Sequence, residues 1–507
     1  MEDDYQKISF PQSVPPSWLL SSSLIYLFFP FIIFSIGWLK IWFSLPLLLV
    51  SLFFCWRFYK KTSIQQKKSD SYSTKFLIIL AFIALSWCLL SGIGGIFFQR
   101  FDYLKHNAIF RELVLNNWPV YFPESSYIND SAWLNYYISW YLPPALFSKI
   151  FGVESIEIFS LLWSWFGVWL ILIWIVDLVQ GRWWIGITTF MLFGGLELLV
   201  VLYQSIEYVA SSGIDKAYFY HILRTGWEVA FANKVFRYMA NTVLLTWSPQ
   251  FAIGTWIATA MVWYFIRTKK YVPFTIPIGS VLLLWSPMAT IGLALVCIFL
   301  FQKWHWINLF KPIEFLSSFP IIFVMFAFYT AHIPLDEPTF TFIEIPLIIF
   351  FWKYPLFLFI EYLSIAIIIW NNWVNEDKKH LNLVCILLAL LALIKLGYNN
   401  DWLIQTGIAP LFIFILFVAR FLATDHVNKL RKWKKYTLIF LLLCAFANPT
   451  RYFLISLFRS VLEPDLVTSV KIKDSPGLND AGFSPNIGKQ YLGHNMTFFY
   501  QVLARKL

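Results

Sequence analysis

Apolar runs of the length that crosses about 30 Å of hydrocarbon recur along the chain at 18–38, 41–58, 76–98, 155–179, 183–204, 249–266, 272–286, 287–302, 317–332, 345–370, 381–397, 408–424 and 437–458. The pair 272–286 and 287–302 is short and interrupted by Trp285-Ser286-Pro287, so it reads as two spans, one bent helix or a re-entrant hairpin. The pattern predicts an all-α polytopic membrane protein with about 11–13 transmembrane helices and external juxtamembrane helices. Longer polar stretches separate some runs, at 99–153, 205–248, 333–344 and 398–407, and a polar tail covers 459–507. Within the first stretch, a helix over 101–116 would set Asp102, Lys105 and His106 at i, i+3 and i+4, on one face beside the bilayer. A second surface helix would follow the turn-rich piece NNWPVYFPESSYINDSAW and be closed by Leu142-Pro143-Pro144. Trp118, Tyr121, Trp133, Tyr136, Tyr137, Trp140 and Tyr141 are expected as anchors in the headgroup layer.

Composition agrees with the pattern: 507 residues are 59% hydrophobic and only 13% charged, with mean hydropathy +0.65, too apolar for a soluble globule. The net charge of +11 is assigned to cationic loops rather than to nucleic-acid binding, because Lys and Arg cluster after particular spans. Lys60, Lys61, Lys67 and Lys68, then Arg267, Lys269 and Lys270, then Lys429, Arg431, Lys432, Lys434 and Lys435 fall on one side by the parity of thirteen spans. The positive-inside rule makes that side cytoplasmic, with the N terminus there and the polar stretches and tail external. The tail is too short for a domain and is expected to pack over the external opening. The acidic, polar first residues carry no signal-peptide pattern, so the first span is expected to be retained. The five cysteines lie in apolar runs without CxxC spacing and read as small core residues.

Candidate chemistry concentrates in the external stretches. Asp102, with Lys105 and His106 one turn away, suits a general base whose ionisation its neighbours set, or a salt-bridged helix start that complements the N-terminal dipole. Glu112, Glu124 and Asp130 read as solvated. His221, Arg224, Lys234 and Arg237 stand at the height of lipid phosphates, where arginine grips phosphate oxygens in pairs or simply meets headgroups. His332, Asp336 and Glu337, and Asp401 with Gln405, leave a divalent cation open, although their spacing follows no fixed ligand pattern. Soluble nucleotide-binding fingerprints are absent from the sequence.

Asp102, then Trp118-Pro119-Val120-Tyr121, Leu134-Asn135-Tyr136-Tyr137, Pro143-Pro144 and Lys149-Ile150-Phe151-Gly152 follow one another in the first 180 or so residues. This order and spacing resembles the GT-C superfamily of integral-membrane glycosyltransferases, of the bacterial polyprenyl-phosphate-dependent type. The resemblance implies a sugar donor on a polyprenyl phosphate, inverting transfer on the external face to a glycan, lipid or protein acceptor, and a loop carboxylate that activates the acceptor or helps hold a metal. That role falls on Asp102, with His106 to orient it. Many relatives carry a second acid beside the first; Tyr103 stands there in this chain, which favours a single base over a metal-binding pair. Lys105, Arg224, Arg237, His332 and Asp401 are expected to bind substrate from their loop positions.

Two other classes compete. A transporter or flippase of a lipid-linked oligosaccharide would place charges and broken helices near the membrane middle, for which Glu197, Glu361 and Lys395 are candidates. An O-antigen-type polymerase or ligase would carry its essential residues in a later, larger external loop, whereas here the first loop is richest.

Overall fold

The computed structural model describes residues 7–11, 15–65, 72–128, 130–216, 218, 222, 227, 236–334, 340–342, 347–397, 400–462 and 471–506. The chain begins with helices α1 (Ser17–Trp38), α2 (Ile41–Gln65) and α3 (Thr74–Leu90). Surface helix α4 (Tyr103–Leu115), strands β1 (Tyr121–Ser125) and β2 (Asp130–Leu134) and helix α5 (Leu142–Phe151) then precede α6 (Ile156–Val179), α7 (Trp183–Leu192) and α8 (Glu197–Ser212). By length and apolar composition, six described helical segments can cross a membrane: Ser17–Trp38, Ile41–Ile64, Val153–Val179, Pro312–Thr330, Phe351–Asn372 and Lys432–Leu462. The pair α7 and α8, bent by 43° at its break, adds one more if it crosses as a unit, and four apolar helices are shorter. This is the plan of an all-α polytopic membrane protein, with fewer long spans than the apolar runs suggested. Run 76–98 ends as helix at Leu90, because Gly92 takes φ +86° and a side chain there would strike the Phe98 carbonyl.

Helix Pro249–Thr268 lies at the centre, with every residue from Pro249 to Ile266 buried. Its full apolar circumference needs neighbours on all sides, and it packs on α1, α6 and helix Ile408–Ala423. The two Trp-Ser-Pro tripeptides mark helix starts, since Pro249 and Pro287 each open a helix where a missing backbone N–H leaves no helical bond unmade. Between helices Thr275–Trp285 and Pro287–Leu300, the Ser286 hydroxyl accepts from the Ala289 N–H and donates to Gln405 Oε1 at 2.5 Å. The junction of the pair thus meets helix Asp401–Thr406. In the second helix a Cβ on Gly292 would collide with the Thr406 carbonyl and lie 2.8 Å from its Cα. Gly292→Ala is therefore expected to destabilise the protein by about 1–3 kcal/mol, read as a lower unfolding temperature in detergent.

Bonds at the two ends of the bundle define its faces. Arg57 and Lys61 pair with Glu314, the Phe58 ring meets Tyr271, Tyr72 donates to Asp177, and Arg182 pairs with Asp425. Arg267 pairs with Asp377, which also accepts from the Phe10 N–H. The three Lys/Arg clusters and the N-terminal segment therefore share one face, as the parity of spans required. At the opposite face the tail returns: strand β5 (Leu492–His494) pairs with β2, matching Leu134 with Leu492 and Ala132 with His494, and the Arg505 N–H donates to the Trp38 carbonyl. A small two-stranded sheet joins β3 (Phe340–Phe342) to β4 (Ile394–Leu396).

The first polar stretch differs from expectation. Its turn-rich middle is not a linker between two helices but the antiparallel hairpin β1–β2, completed as a three-stranded sheet by the tail. Three of the aromatics assigned to the headgroup layer turn inward: Trp140 donates to Ser164, Trp133 stacks on Tyr500 and Tyr141 is fully buried. Their polar tips find protein partners, so they pack as core rather than as anchors. Glu112 is likewise buried, accepting from Asn116 and from the Leu478 N–H of the tail.

Candidate functional site

Helix α4 carries the candidate reaction centre and is held from below by the Tyr103 hydroxyl, which donates to the Ser91 carbonyl. Asp102 occupies its N-cap position, yet the side chain caps no backbone N–H. The carboxylate instead accepts from Lys105 Nζ at 3.1 Å, with side-chain exposures of 34% for Asp102 and 12% for Lys105. The one-turn spacing predicted that contact. Burial works to raise the Asp102 pKa, but Lys105 and Arg237 more than offset it and hold the carboxyl below its usual range. Burial likewise works against a charged Lys105, and Asp102, Tyr136 and Tyr491 outweigh it, so the ammonium stays protonated above the ordinary lysine range.

His106 does not join them as a reacting group. It is fully buried, with Nε2 facing the Trp247 carbonyl at 3.1 Å and Nδ1 2.7 Å from the Tyr141 hydroxyl. A carbonyl can only accept, so Nε2 carries the proton and Nδ1 accepts from Tyr141. Both ring nitrogens are thus engaged by protein groups, and His106 touches Asp102 through neither. Burial, with Lys105 nearby, pushes its pKa down to about 3, so the ring is neutral at physiological pH. The unfolded chain binds a proton near pH 6.5 and the folded chain does not, so His106 makes stability fall as pH drops from 6.5 toward 3, by about 1.4 kcal/mol per unit. His106→Gln is expected to flatten that slope in unfolding measured between pH 7 and 4, relative to the wild-type chain.

Residues distant in sequence converge on Asp102 and Lys105. Asp401, at the start of helix Asp401–Thr406, has its pKa raised by burial, with Lys105 and Arg237 opposing and Asp102 reinforcing the rise. A side chain on Gly397 would run into its carboxylate. Tyr136 and Tyr137 follow β2 and stack at 4.7 Å, and Tyr491 of the tail meets Tyr136 edge-on at 4.9 Å. Beside Tyr136 lies Gln250, fully buried, its amide directed at the Tyr136 hydroxyl.

Of the expected substrate-binding residues, Lys105, Arg237 and Asp401 therefore gather around Asp102. His332 does not present its ring to them: Nδ1 lies 2.9 Å from the Ile333 carbonyl and Nε2 2.7 Å from the Gln490 carbonyl, so it fastens the tail. Arg224, with His221, Lys234, Asp336 and Glu337, lies outside the described residues. Two arginines went unrecognised in the sequence: Arg100 stands 4.5 Å from the Tyr452 ring, and Arg451 stacks 4.7 Å from Trp227 and 5.2 Å from Tyr452. An arginine inside the apolar run 437–458 was the available signal. Among the described residues no three His, Cys, Asp or Glu side chains converge as metal ligands. The Asp102 carboxylate is engaged by Lys105. No family model, curated protein or solved structure matches this chain.

Proposed function

We propose that the chain is an inverting membrane glycosyltransferase of the GT-C type, moving a sugar from a polyprenyl phosphate to an acceptor at the membrane face opposite the lysine-rich turns. That face is external and the membrane is the cytoplasmic one if the lysine clusters obey the positive-inside rule. The observation that carries the reading is the gathering of Asp102, Lys105, Arg237, Asp401 and the Tyr136–Tyr491 pair from five segments at one mouth of the bundle. As the acceptor oxygen bonds to the anomeric carbon, its proton passes to Asp102 and the bond from that carbon to the phosphate oxygen breaks. Asp102 thereby loses its charge while the departing polyprenyl phosphate gains one, and Lys105 can transfer its ion pair from the first to the second. Arg237 adds positive charge beside it, and the buried Gln250 amide beside Tyr136 is placed to meet a sugar hydroxyl.

A second reading, a flippase for a lipid-linked oligosaccharide, is favoured by the break between α7 and α8 and the buried Glu197 and Glu361. Membrane vesicles containing the purified protein, supplied with polyprenyl-phosphate sugar carrying a radiolabel in the sugar, separate the two. Covalent movement of label to an acceptor supports transfer; label that only changes leaflet, still on its lipid, overturns it.

A further inference from the structure

At the lysine-rich face the start of α7 is pinned to the end of helix Ile408–Ala423. The Arg182 N–H donates to the Ala423 carbonyl, the Arg420 guanidinium donates to the Val179 carbonyl, and a Cβ on Gly181 would stand 2.7 Å from the Ala423 oxygen. Helix Lys432–Leu462 starts nearby, where Lys435 Nζ donates to Asn428 Oδ1 at 2.9 Å. Beyond these ties, α7 and helix Lys432–Leu462 leave a cavity of about 310 Å³ between them, at the small end of the range that takes a ligand.

Ile185, Leu422, Leu442 and Phe446 form its walls. Trp184, also on the wall, is 56% exposed, and Leu443 of the opposite helix is 66% exposed. Apolar side chains this exposed on helices of a membrane protein meet hydrocarbon, so the cavity opens sideways to the bilayer. From Arg182 to Thr189, both of which line it, α7 rises about 10 Å, which gives room for a segment of one acyl chain. The rim is different in character. Arg182 and the segment 425–435 carry six cations, Arg182, Lys429, Arg431, Lys432, Lys434 and Lys435, against one carboxylate, Asp425. Asp425 pairs with Arg182, but both side chains are more than half exposed, so the pair is weak and a phosphate can displace it. An apolar slot open to the bilayer suits an acyl chain, and a cationic rim at the membrane surface suits an anionic headgroup.

We propose that this groove binds one anionic glycerophospholipid from the leaflet on the lysine-rich side, with its chain between α7 and helix Lys432–Leu462 and its phosphate at Arg182. The site is separate from Asp102 and stands whichever of the two functional readings is right. The bound lipid bridges the two helices where their own side chains leave a gap.

The test uses the full-length protein in phosphatidylcholine nanodiscs, with phosphatidylglycerol carrying a photoactivatable diazirine in its acyl chain as the probe. Labelling is expected to concentrate in residues 182–189 and 442–446, and unlabelled phosphatidylglycerol should compete at least about tenfold better than phosphatidylcholine. Thr188→Trp fills the groove and leaves its charge, so labelling there should fall at least about tenfold. Arg182→Gln leaves the groove open and should erase the preference for the anionic lipid. Should Thr188→Trp fail to fold, Arg182→Gln decides alone. Label spread evenly over the lipid-facing helices, or equal competition by phosphatidylcholine, would mean an ordinary belt of bilayer lipid and overturns the proposal. Competition by polyprenyl phosphate but not by phosphatidylglycerol overturns it too, as does undiminished labelling in both folded variants.

Discussion

Replacing Asp102 with asparagine is expected to lower sugar transfer at least about 100-fold while the protein accumulates in the membrane at its normal level. The two halves of that outcome have separate causes. Loss of transfer follows because asparagine has the size of aspartate but cannot take the acceptor's proton. Retention of the fold follows because the carboxylate makes no cap bond to α4 and is one-third exposed, so its ion pair with Lys105 is worth at most about 1 kcal/mol. If Asp102 were only a salt-bridged helix start, Asp102→Asn would leave transfer intact. Lys105→Met sharpens the distinction. Lys105 heads the cations that hold the Asp102 pKa down against burial, so its removal lets that pKa rise and moves the acid limb of the transfer profile to higher pH. A purely structural Lys105 would leave the limb where it was. Rates of label transfer across pH, with protein quantified in each membrane preparation, give both readings.

The parts of this architecture that were legible in the chain are those set by local periodicity and by long stretches of like character. Apolar runs became helices, and the parity of spans put Lys60, Arg267 and Lys429 on one face, because those signals need no knowledge of distant partners. The contact between Asp102 and Lys105 was legible for the same reason, being one helical turn. Three things were not. The β1–β2 hairpin hid behind Pro123 and a turn-rich composition, and its pairing is completed by a strand more than 350 residues away. His106 looked like a partner of Asp102 on one helix face, but the carbonyl of Trp247 and the hydroxyl of Tyr141, supplied by other elements, claim both ring nitrogens. The length of a run also overstated its helix wherever glycine or serine broke it, as at Gly92, Gly194 and Ser286. In each case a distant contact or a single backbone position outweighed the local pattern.

Removal of the tail, residues 471–507, is expected to reduce transfer by at least about 100-fold without preventing insertion of the spans, and the reason lies in what the tail holds. Its residues Leu492–His494 form the third strand beside β2, and β2 leads directly into Tyr136 and Tyr137. Tyr491 itself meets Tyr136 and sits in the field of Lys105 and Asp102. Further along, the Leu478 N–H bonds Glu112 on α4, the Leu478 carbonyl accepts from Tyr127 at the hairpin, and the Ile333 N–H donates to the Leu492 carbonyl. One segment thus fixes α4, the hairpin and the helix end near His332 relative to each other. A displacement of about 1 Å at a reacting centre is enough to cost about 100-fold in rate, and loss of these bonds frees three elements at once. The spans themselves pack through helix Pro249–Thr268 and its neighbours, which the tail meets only near the ends of Ser17–Trp38 and Pro312–Thr330, so insertion persists. Gly493→Leu is the finer variant: a Cβ there would stand 2.7 Å from the Tyr500 ring and 3.0 Å from Asn135, dislodging β5 while every tail residue remains in the chain. If the truncated protein, or the folded Gly493→Leu variant, transfers sugar at the full rate, the tail is a covering and not a part of the site.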